Sequence, residues 1–253
     1  MKKILNTLKK NKERDIKSFA VLIDPDETPS SNLVKMASEG SAFGLDFFFV
    51  GGSILLSDNF EPTIQVLKDH CDIPIVIFPG SNLQISPIAD GILLLSLISG
   101  RNPDLLIGQH VASAAKLKNS KLEVIPTGYI LIGSGVDTSV AYISNTTPIP
   151  ETKTPIAVST AIAGELLGLQ LIYLEAGSGK SRVVPETMIR SVKESIICPI
   201  IIGGGIDSAE KAKSSFISGA DLLVIGNGIQ HNMNLLKEVC ELKNTMNKEL
   251  NIH

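Results

Sequence analysis

The sequence predicts an α/β protein folded as a single (β/α)8 barrel, the TIM-barrel architecture. Three observations predict it: eight short and nearly unbroken apolar runs, amphipathic segments between them, and a length of 253 residues. Apolarity without alternation suits strands buried on both faces, as in a parallel sheet covered by helices. An open doubly wound sheet is the competing architecture, and eight strands in a chain of this length favour closure. Residues 1–253 therefore read as one domain.

In chain order the strand runs are Phe19–Asp24, Asp46–Gly51, Pro74–Pro79, Gly91–Leu95, Leu122–Tyr129, Leu171–Glu175, Pro199–Gly203 and Asp221–Gly226. Most end in Gly, Pro, Asp or Ser, where a strand turns into a loop. Helices are expected over Asn32–Gly40, Pro62–His70, Pro103–Lys118, Ser159–Gly168, Pro185–Ser195 and Ser208–Gly219. Several open with Pro or Ser and close near Gly, the usual asymmetry of helix ends. The tail after Gly228 reads as one long helix toward Leu250.

Two stretches break the alternation. Gly80–Asp90 is short for a covering helix and contains Pro87, so one side of the barrel is expected to be open there. Leu131–Pro155 is long and rich in Gly, Ser, Thr and Pro, the composition of a lid or binding segment. Both irregularities enlarge a groove rather than tighten a core.

Composition narrows the function. With 43% hydrophobic residues and a net charge of −3, the chain has enough apolar surface to fold. Its 23 Lys and Arg against 26 Asp and Glu leave no global positive field for nucleic acid. Cys71, Cys198 and Cys240 are too few and too scattered for a disulfide framework or a CxxC metal site, which points to a reducing, cytoplasmic setting. The first residues lack the unbroken apolar run of a secretory signal, and no stretch reaches the 18 or so apolar residues of a membrane span.

Glycines mark the ends of the last three strands: Tyr173-Leu174-Glu175-Ala176-Gly177-Ser178-Gly179, Gly203-Gly204-Gly205 and Gly226-Asn227-Gly228. In barrels of this class the late loops hold phosphate through backbone amides, and glycine allows the close approach this needs. Tight turns explain any one of these loops; three in a row favour an anion site. Gly177-Ser-Gly-Lys-Ser181 is not a nucleotide P-loop, because Leu174 stands where the pattern needs Gly. The segments at Gly133 and Gly203 lack the last glycine or alanine of a dinucleotide fingerprint.

Elsewhere on the same face, Asp24-Pro25-Asp26 closes the first strand and Ser53 follows Gly51-Gly52 after the second. An oxygen-rich turn of this kind suits Mg²⁺, which takes one or two carboxylates together with water and substrate phosphates. A turn or helix cap is the plainer reading of Asp-Pro-Asp. Glu175 ends an apolar strand and should point into the barrel mouth as a general base, with a salt bridge to Lys180 or Arg182 as the structural alternative. His70, His110, His231 and His253 fall on helices or the tail, away from the strand ends.

Taken in order, Leu22-Ile-Asp-Pro-Asp26, Val50-Gly-Gly-Ser53, Phe78-Pro-Gly-Ser81, Pro126-Thr-Gly-Tyr129, Tyr173–Gly179, Gly203-Gly-Gly-Ile206 and Gly226-Asn227 resemble the geranylgeranylglyceryl phosphate synthase family, which includes heptaprenylglyceryl phosphate synthases. The resemblance implies a barrel whose third helix is replaced by a looser segment. It also implies a Mg²⁺-dependent transfer of a prenyl chain from geranylgeranyl diphosphate, or another polyprenyl diphosphate, to sn-glycerol 1-phosphate. Carried over by motif, Asp24 and Ser53 would bind the metal. Tyr173, Leu174, Glu175, Ala176, Gly177, Ser178, Gly179, Gly204, Gly205, Gly226 and Asn227 would hold glycerol phosphate. Glu175 would orient or deprotonate the attacking hydroxyl with support from Tyr173, and the family implies a homo-oligomer. The apolar run Leu93–Ile98 is the expected floor for the prenyl tail, and transient contact with a membrane surface is compatible with lipid substrates.

One departure stands out. Where the family often has a basic residue soon after Asp-Pro-Asp, this chain has Glu27; if a cation there helps hold diphosphate, Lys12, Arg14, Lys17 or Arg101 takes its place, or diphosphate affinity falls. Two other function classes fit parts of the pattern: a phosphate-binding isomerase or aldolase barrel without a lipid groove, and a prenyl-lipid carrier without chemistry.

Overall fold

Eight parallel strands close into a barrel in sequence order: β1 (Ser18–Ile23), β2 (Phe47–Val50), β3 (Ile75–Ile77), β4 (Gly91–Leu97), β5 (Glu123–Leu131), β6 (Leu171–Glu175), β7 (Ile200–Gly203) and β8 (Leu222–Ile225), with β8 pairing back onto β1. This is a computed structural model describing residues 3–133, 138–177 and 182–250. Each strand falls on its expected apolar run.

Alternate residues face opposite ways along each strand. On β6, Leu171 and Tyr173 pack into the barrel interior, whereas Ile172 and Leu174 pack outward under the helices. On β1 and β2 the outward set is Phe19, Val21, Ile23, Phe48 and Val50, and the inward set includes Ala20, Phe47 and Phe49. Both faces are apolar because both are buried.

The helices are α1 (Ile4–Glu13), α2 (Ser30–Phe43), α3 (Phe60–His70), α4 (Gln109–Asn119, entered through a π-turn over Asp104–Gly108), α5 (Ser139–Ser144), α6 (Thr154–Leu166), α7 (Glu186–Ser195), α8 (Ala209–Ile217), α9 (Asn227–His231) and α10 (Asn234–Leu250). No helix joins β3 to β4; the segment from Gly80 to Asp90 runs as turns, so this side of the barrel lacks its outer cover. Among the described residues no helix is long and apolar enough to cross a membrane.

Three elements differ from the sequence reading. The first is α1, whose Ile4, Leu5 and Leu8 join the interior cluster while the Ile4 and Leu5 amides donate to the Glu123 carboxylate at 2.8 and 2.9 Å. Glu123 opens β5, so α1 seals the N-terminal end of the barrel. The second is α5, inside the stretch read as a loop; Thr138 Oγ1 caps it by accepting from the Ala141 amide, and Asn145 ends it in the left-handed region at φ 49°. The third is the tail, which is two helices rather than one. Asn232 turns extended after α9, and its Oδ1 accepts from the Asn234 amide at 3.1 Å to start α10.

Acidic residues at the strand starts are structural. Asp46, Asp90 and Asp221 each precede a strand, accept from the amide of Phe19, Ile75 or Ile200, and pair with Lys243, Lys68 or Lys193. They fasten helices to the N-terminal face and leave the other face to carry the chemistry.

Candidate active site

At the C-terminal face, Asp24, Ser53, Tyr173, Glu175, Gly204, Gly205, Gly226 and Asn227 line one cleft of about 670 Å³. The sequence-predicted metal pair, base and phosphate loops therefore share a single space. Leu174 turns outward into the helix-packing layer. Ala176 and Gly177 stand behind the cleft wall, where their amides bond Gly203 O and the Glu175 carboxylate. Ser178 and Gly179 lie outside the described residues.

Glu175 is inward-facing on β6 and only 6% exposed. Its Oε1 accepts from the Gly177 amide at 2.7 Å. Burial pushes its pKa up to about 7, against the opposing pull of that amide and of the nearby Tyr173 hydroxyl. The Tyr173 hydroxyl is buried without a hydrogen bond of ordinary geometry, beside Glu175 Oε2 at the spot a Gly203 side chain would occupy. The salt-bridge alternative does not form with Arg182, which pairs with Glu151 at 2.9 Å; Lys180 lies outside the described residues. Glu175 is thus a buried carboxyl poised near neutrality, the condition for proton transfer.

Gly204 shows why these loops need glycine. Its φ is +82°, and a Cβ there would overlap Glu175 Oε1 and stand 2.8 Å from the Gly177 amide nitrogen. The loops after β6 and β7 pack backbone to backbone, and Gly204 and Gly205 line the cleft beside the carboxyl.

On the β1–β2 side the two aspartates divide their work. Asp26 binds the Leu56 amide at 2.6 Å and the Ser57 hydroxyl, so it fastens the loop after β2. Asp24 accepts from the Asp26 amide through Oδ1 at 2.9 Å, while Oδ2 lies 2.7 Å from where a Gly52 side chain would begin. Partial burial raises the Asp24 pKa, and the Glu27 and Asp26 carboxylates push it the same way. The donor set, one under-compensated carboxylate and a hydroxyl, fits a hard cation that keeps water and substrate oxygens. Among the described residues no group of three His, Cys, Asp or Glu forms a closed metal cage.

A second cavity opens from the first toward the uncovered β3–β4 side. Its wall is mainly apolar, with Leu93, Leu95 and Leu97 of β4, Leu105, Leu117 and Ile143. Of the expected floor Leu93–Ile98, Leu93, Leu94, Leu95 and Leu97 line the cavity, whereas Ser96 does not and Ile98 packs outward. Gly52, Ser53, Phe78, Tyr129 and Val140 line both cavities. At that junction Phe78, Tyr129 and Tyr173 pack with ring centroids 5.2–5.8 Å apart.

The basic residues expected to offset Glu27 all lie outside the cleft wall. Lys12 bonds Ile196 O and Cys198 O ahead of β7, and Lys17 pairs with Asp15 ahead of β1. Arg14 caps α1 on that same N-terminal side. All three are across the barrel from the cleft, because α1 is the seal of its lower end. Arg101 follows β4 and binds Ile98 O and Gly100 O, outside the cleft wall. Among the described residues the basic side chain that does line the cleft is His231. It sits four residues beyond Asn227 on α9, and Gln230 next to it donates to Thr28 of the β1 loop at 3.1 Å. That i, i+4 spacing is the sequence signal that would have found it. His110 was likewise expected away from the site, yet it lines the apolar cavity with Nε2 3.3 Å from Ser96 Oγ.

The arrangement has known counterparts. The profile of the PcrB family matches residues 9–243. This chain belongs to the PcrB family. Geranylgeranylglyceryl phosphate synthase of Chitinophaga pinensis is 49% identical over 239 residues, covering 94% of this chain and 95% of the relative. The enzyme of that name from Pyrococcus horikoshii is 40% identical, covering 83% and 82%. Among solved structures, (S)-3-O-geranylgeranylglyceryl phosphate synthase from Thermoplasma acidophilum, in complex with sn-glycerol-1-phosphate, superposes with a TM-score of 0.89 at 33% identity, covering 96% of this chain and 98% of that one. This PcrB-family chain is therefore an enzyme, a transferase of lipid biosynthesis on a TIM barrel.

Proposed function

We propose that the protein transfers a C20 prenyl chain from geranylgeranyl diphosphate to sn-glycerol 1-phosphate, forming an ether and releasing diphosphate. The observation that carries this reading is a buried carboxyl near neutrality between glycine-rich loops and a junction with an apolar groove.

Each part has a task in that reaction. The loops at Gly204-Gly205 and Gly226-Asn227 hold the phosphate of glycerol phosphate, which presents a glycerol hydroxyl to Glu175. Glu175 accepts the hydroxyl proton as the oxygen attacks, and Tyr173 keeps the carboxyl oriented. Fixing the nucleophile in this way replaces a bimolecular encounter by a positioned one, where much of the acceleration arises. Asp24 and Ser53 would hold Mg²⁺, which would supply charge neutralisation for the departing diphosphate. His231 adds a donor at the same rim. The prenyl tail lies along Leu93, Leu95 and Leu97, where each buried methylene contributes about 0.8 kcal/mol.

The test is incubation of the purified protein with Mg²⁺, glycerol 1-phosphate and diphosphates of C15, C20 and longer chains, with extraction of the product. The ether of the C20 chain is expected. No ether from any donor would end this reading, and stabilisation by a sugar phosphate that ignores EDTA and prenyl diphosphate would replace it by an isomerase or aldolase.

A further inference from the structure

Where a covering helix would stand between β3 and β4, the Gly80–Asp90 segment buries one amide side chain. Gln84 is 3% exposed and reaches from this segment to the end of β2. Its Nε2 donates to Gly52 O at 2.9 Å, and its Oε1 accepts from the Gly80 amide at 3.1 Å and, at a longer 3.5 Å, from the Gly52 amide. The two backbones touch at this point, since a Cβ on Gly80 would overlap Gly52 O and fall 2.8 Å from Ser53 O. On its other side the same turn is held by the Gly51 amide donating to Ile23 O at 3.1 Å, and Gly52 faces the Asp24 carboxylate.

A turn of consecutive glycines has much backbone freedom to lose on ordering. Without a fastener, Gly52 and Ser53 would sample positions that separate the serine hydroxyl from Asp24. Gln84 removes that freedom with one side chain carrying both a donor and an acceptor, matched to the carbonyl and amide of one residue. The missing helix opens the apolar groove, and the amide in its place keeps the metal-side turn from loosening as a result.

We propose that Gln84 is a positioning residue, fixing the Gly51–Ser53 turn so that Ser53 and Asp24 present their oxygens together to a divalent cation and diphosphate. The proposal rests on the reading of Asp24 and Ser53 as the metal pair. Gln84 itself lines neither cavity; it acts through Gly52 and Gly80.

The experiment compares wild type with Gln84→Met, which keeps the volume and removes both hydrogen-bonding ends, and with Asp24→Asn. Binding of Mn²⁺ with inorganic diphosphate and binding of glycerol 1-phosphate are measured by calorimetry on the free enzyme, and amide exchange at Gly52 and Gly80 by mass spectrometry. For Gln84→Met the expected result is about tenfold weaker Mn²⁺–diphosphate binding, glycerol 1-phosphate affinity within twofold of wild type, and faster exchange at both glycines. In turnover, KM for the prenyl donor rises while kcat stays within about twofold. Gln84→Ala carries the same comparison if the Met variant does not fold. Unchanged Mn²⁺–diphosphate binding in the Gln84 variant, with Asp24→Asn impaired, overturns the proposal and leaves the metal pair standing. Equal weakening of both ligands also overturns it, as the mark of general loosening. Wild-type binding in Asp24→Asn removes the metal pair, and the role of Gln84 falls with it.

Discussion

Glu175 is raised to a pKa of about 7 by burial, with no cationic partner among the described contacts to offset it. The sign of the consequence is fixed by linkage. In the unfolded chain the carboxyl titrates near 4.5, and in the fold near 7. As pH rises between those values the unfolded state loses its proton first, so folding stability falls; above about 7 the loss levels off at about 3 kcal/mol. Glu175→Gln lacks this loss. Urea denaturation should find it equal to wild type near pH 4 and more stable by a margin that grows up to pH 7 and then stays constant. The same variant should lower kcat by about 10²- to 10⁴-fold, the range of a lost general base, with glycerol 1-phosphate affinity within a few-fold. Undiminished turnover would remove Glu175 from the mechanism. Asp24, Ser53 and Glu175 could be singled out in the sequence because each is a polar residue at or just after the end of an apolar run, with turn, cap and salt-bridge readings beside the chemical one. Gln84 and His231 were not singled out, since a lone Gln in an irregular segment and a His on a short helix gain meaning only from the residues the fold sets beside them.

Elements divide by which end of the barrel they serve. The strands were legible because burial on both faces writes an unbroken apolar run, and chain order then fixes the barrel. The ends of the helices were harder. For α1 the signal was three apolar residues among lysines, and its partner, the barrel floor, exists only after closure. The break between α9 and α10 depends on the Asn232 side chain, which looks like any polar residue of an amphipathic helix. Acidic residues just before strands, as opposed to just after, make a testable contrast. Asp221 is buried, binds the Ile200 amide at 2.9 Å and pairs with Lys193. Asp221→Ala leaves both partners unsatisfied and should cost about 3 kcal/mol of stability, typical of breaking a buried pair. Steady-state KM values for both substrates should be unchanged at a temperature where the variant is folded. A selective change in KM would show that the floor of the barrel is coupled to its mouth.

Over the whole molecule, the proposed phosphate loops after β6–β8 and the proposed metal pair after β1–β2 are neighbours around the closed sheet, because β8 pairs with β1. Two anionic groups must then be held close together in a cleft that also carries Asp24, Asp26, Glu27, Glu175 and Asp207. At an effective dielectric near 20, like charges about 4 Å apart repel by roughly 4 kcal/mol, so His231 alone does not balance a diphosphate beside Asp24. The phosphate loops work differently, through backbone groups that need no cation. Removal of divalent metal should therefore separate the two ligands. With EDTA, a non-reacting thiolodiphosphate analogue of the donor should lose binding by a hundredfold or more in calorimetry, whereas Kd for glycerol 1-phosphate should change less than about threefold. Restoring Mg²⁺ should recover donor binding in wild type and not in Asp24→Asn. Donor affinity indifferent to EDTA would mean that the carboxylates after β1 are not the seat of a cation.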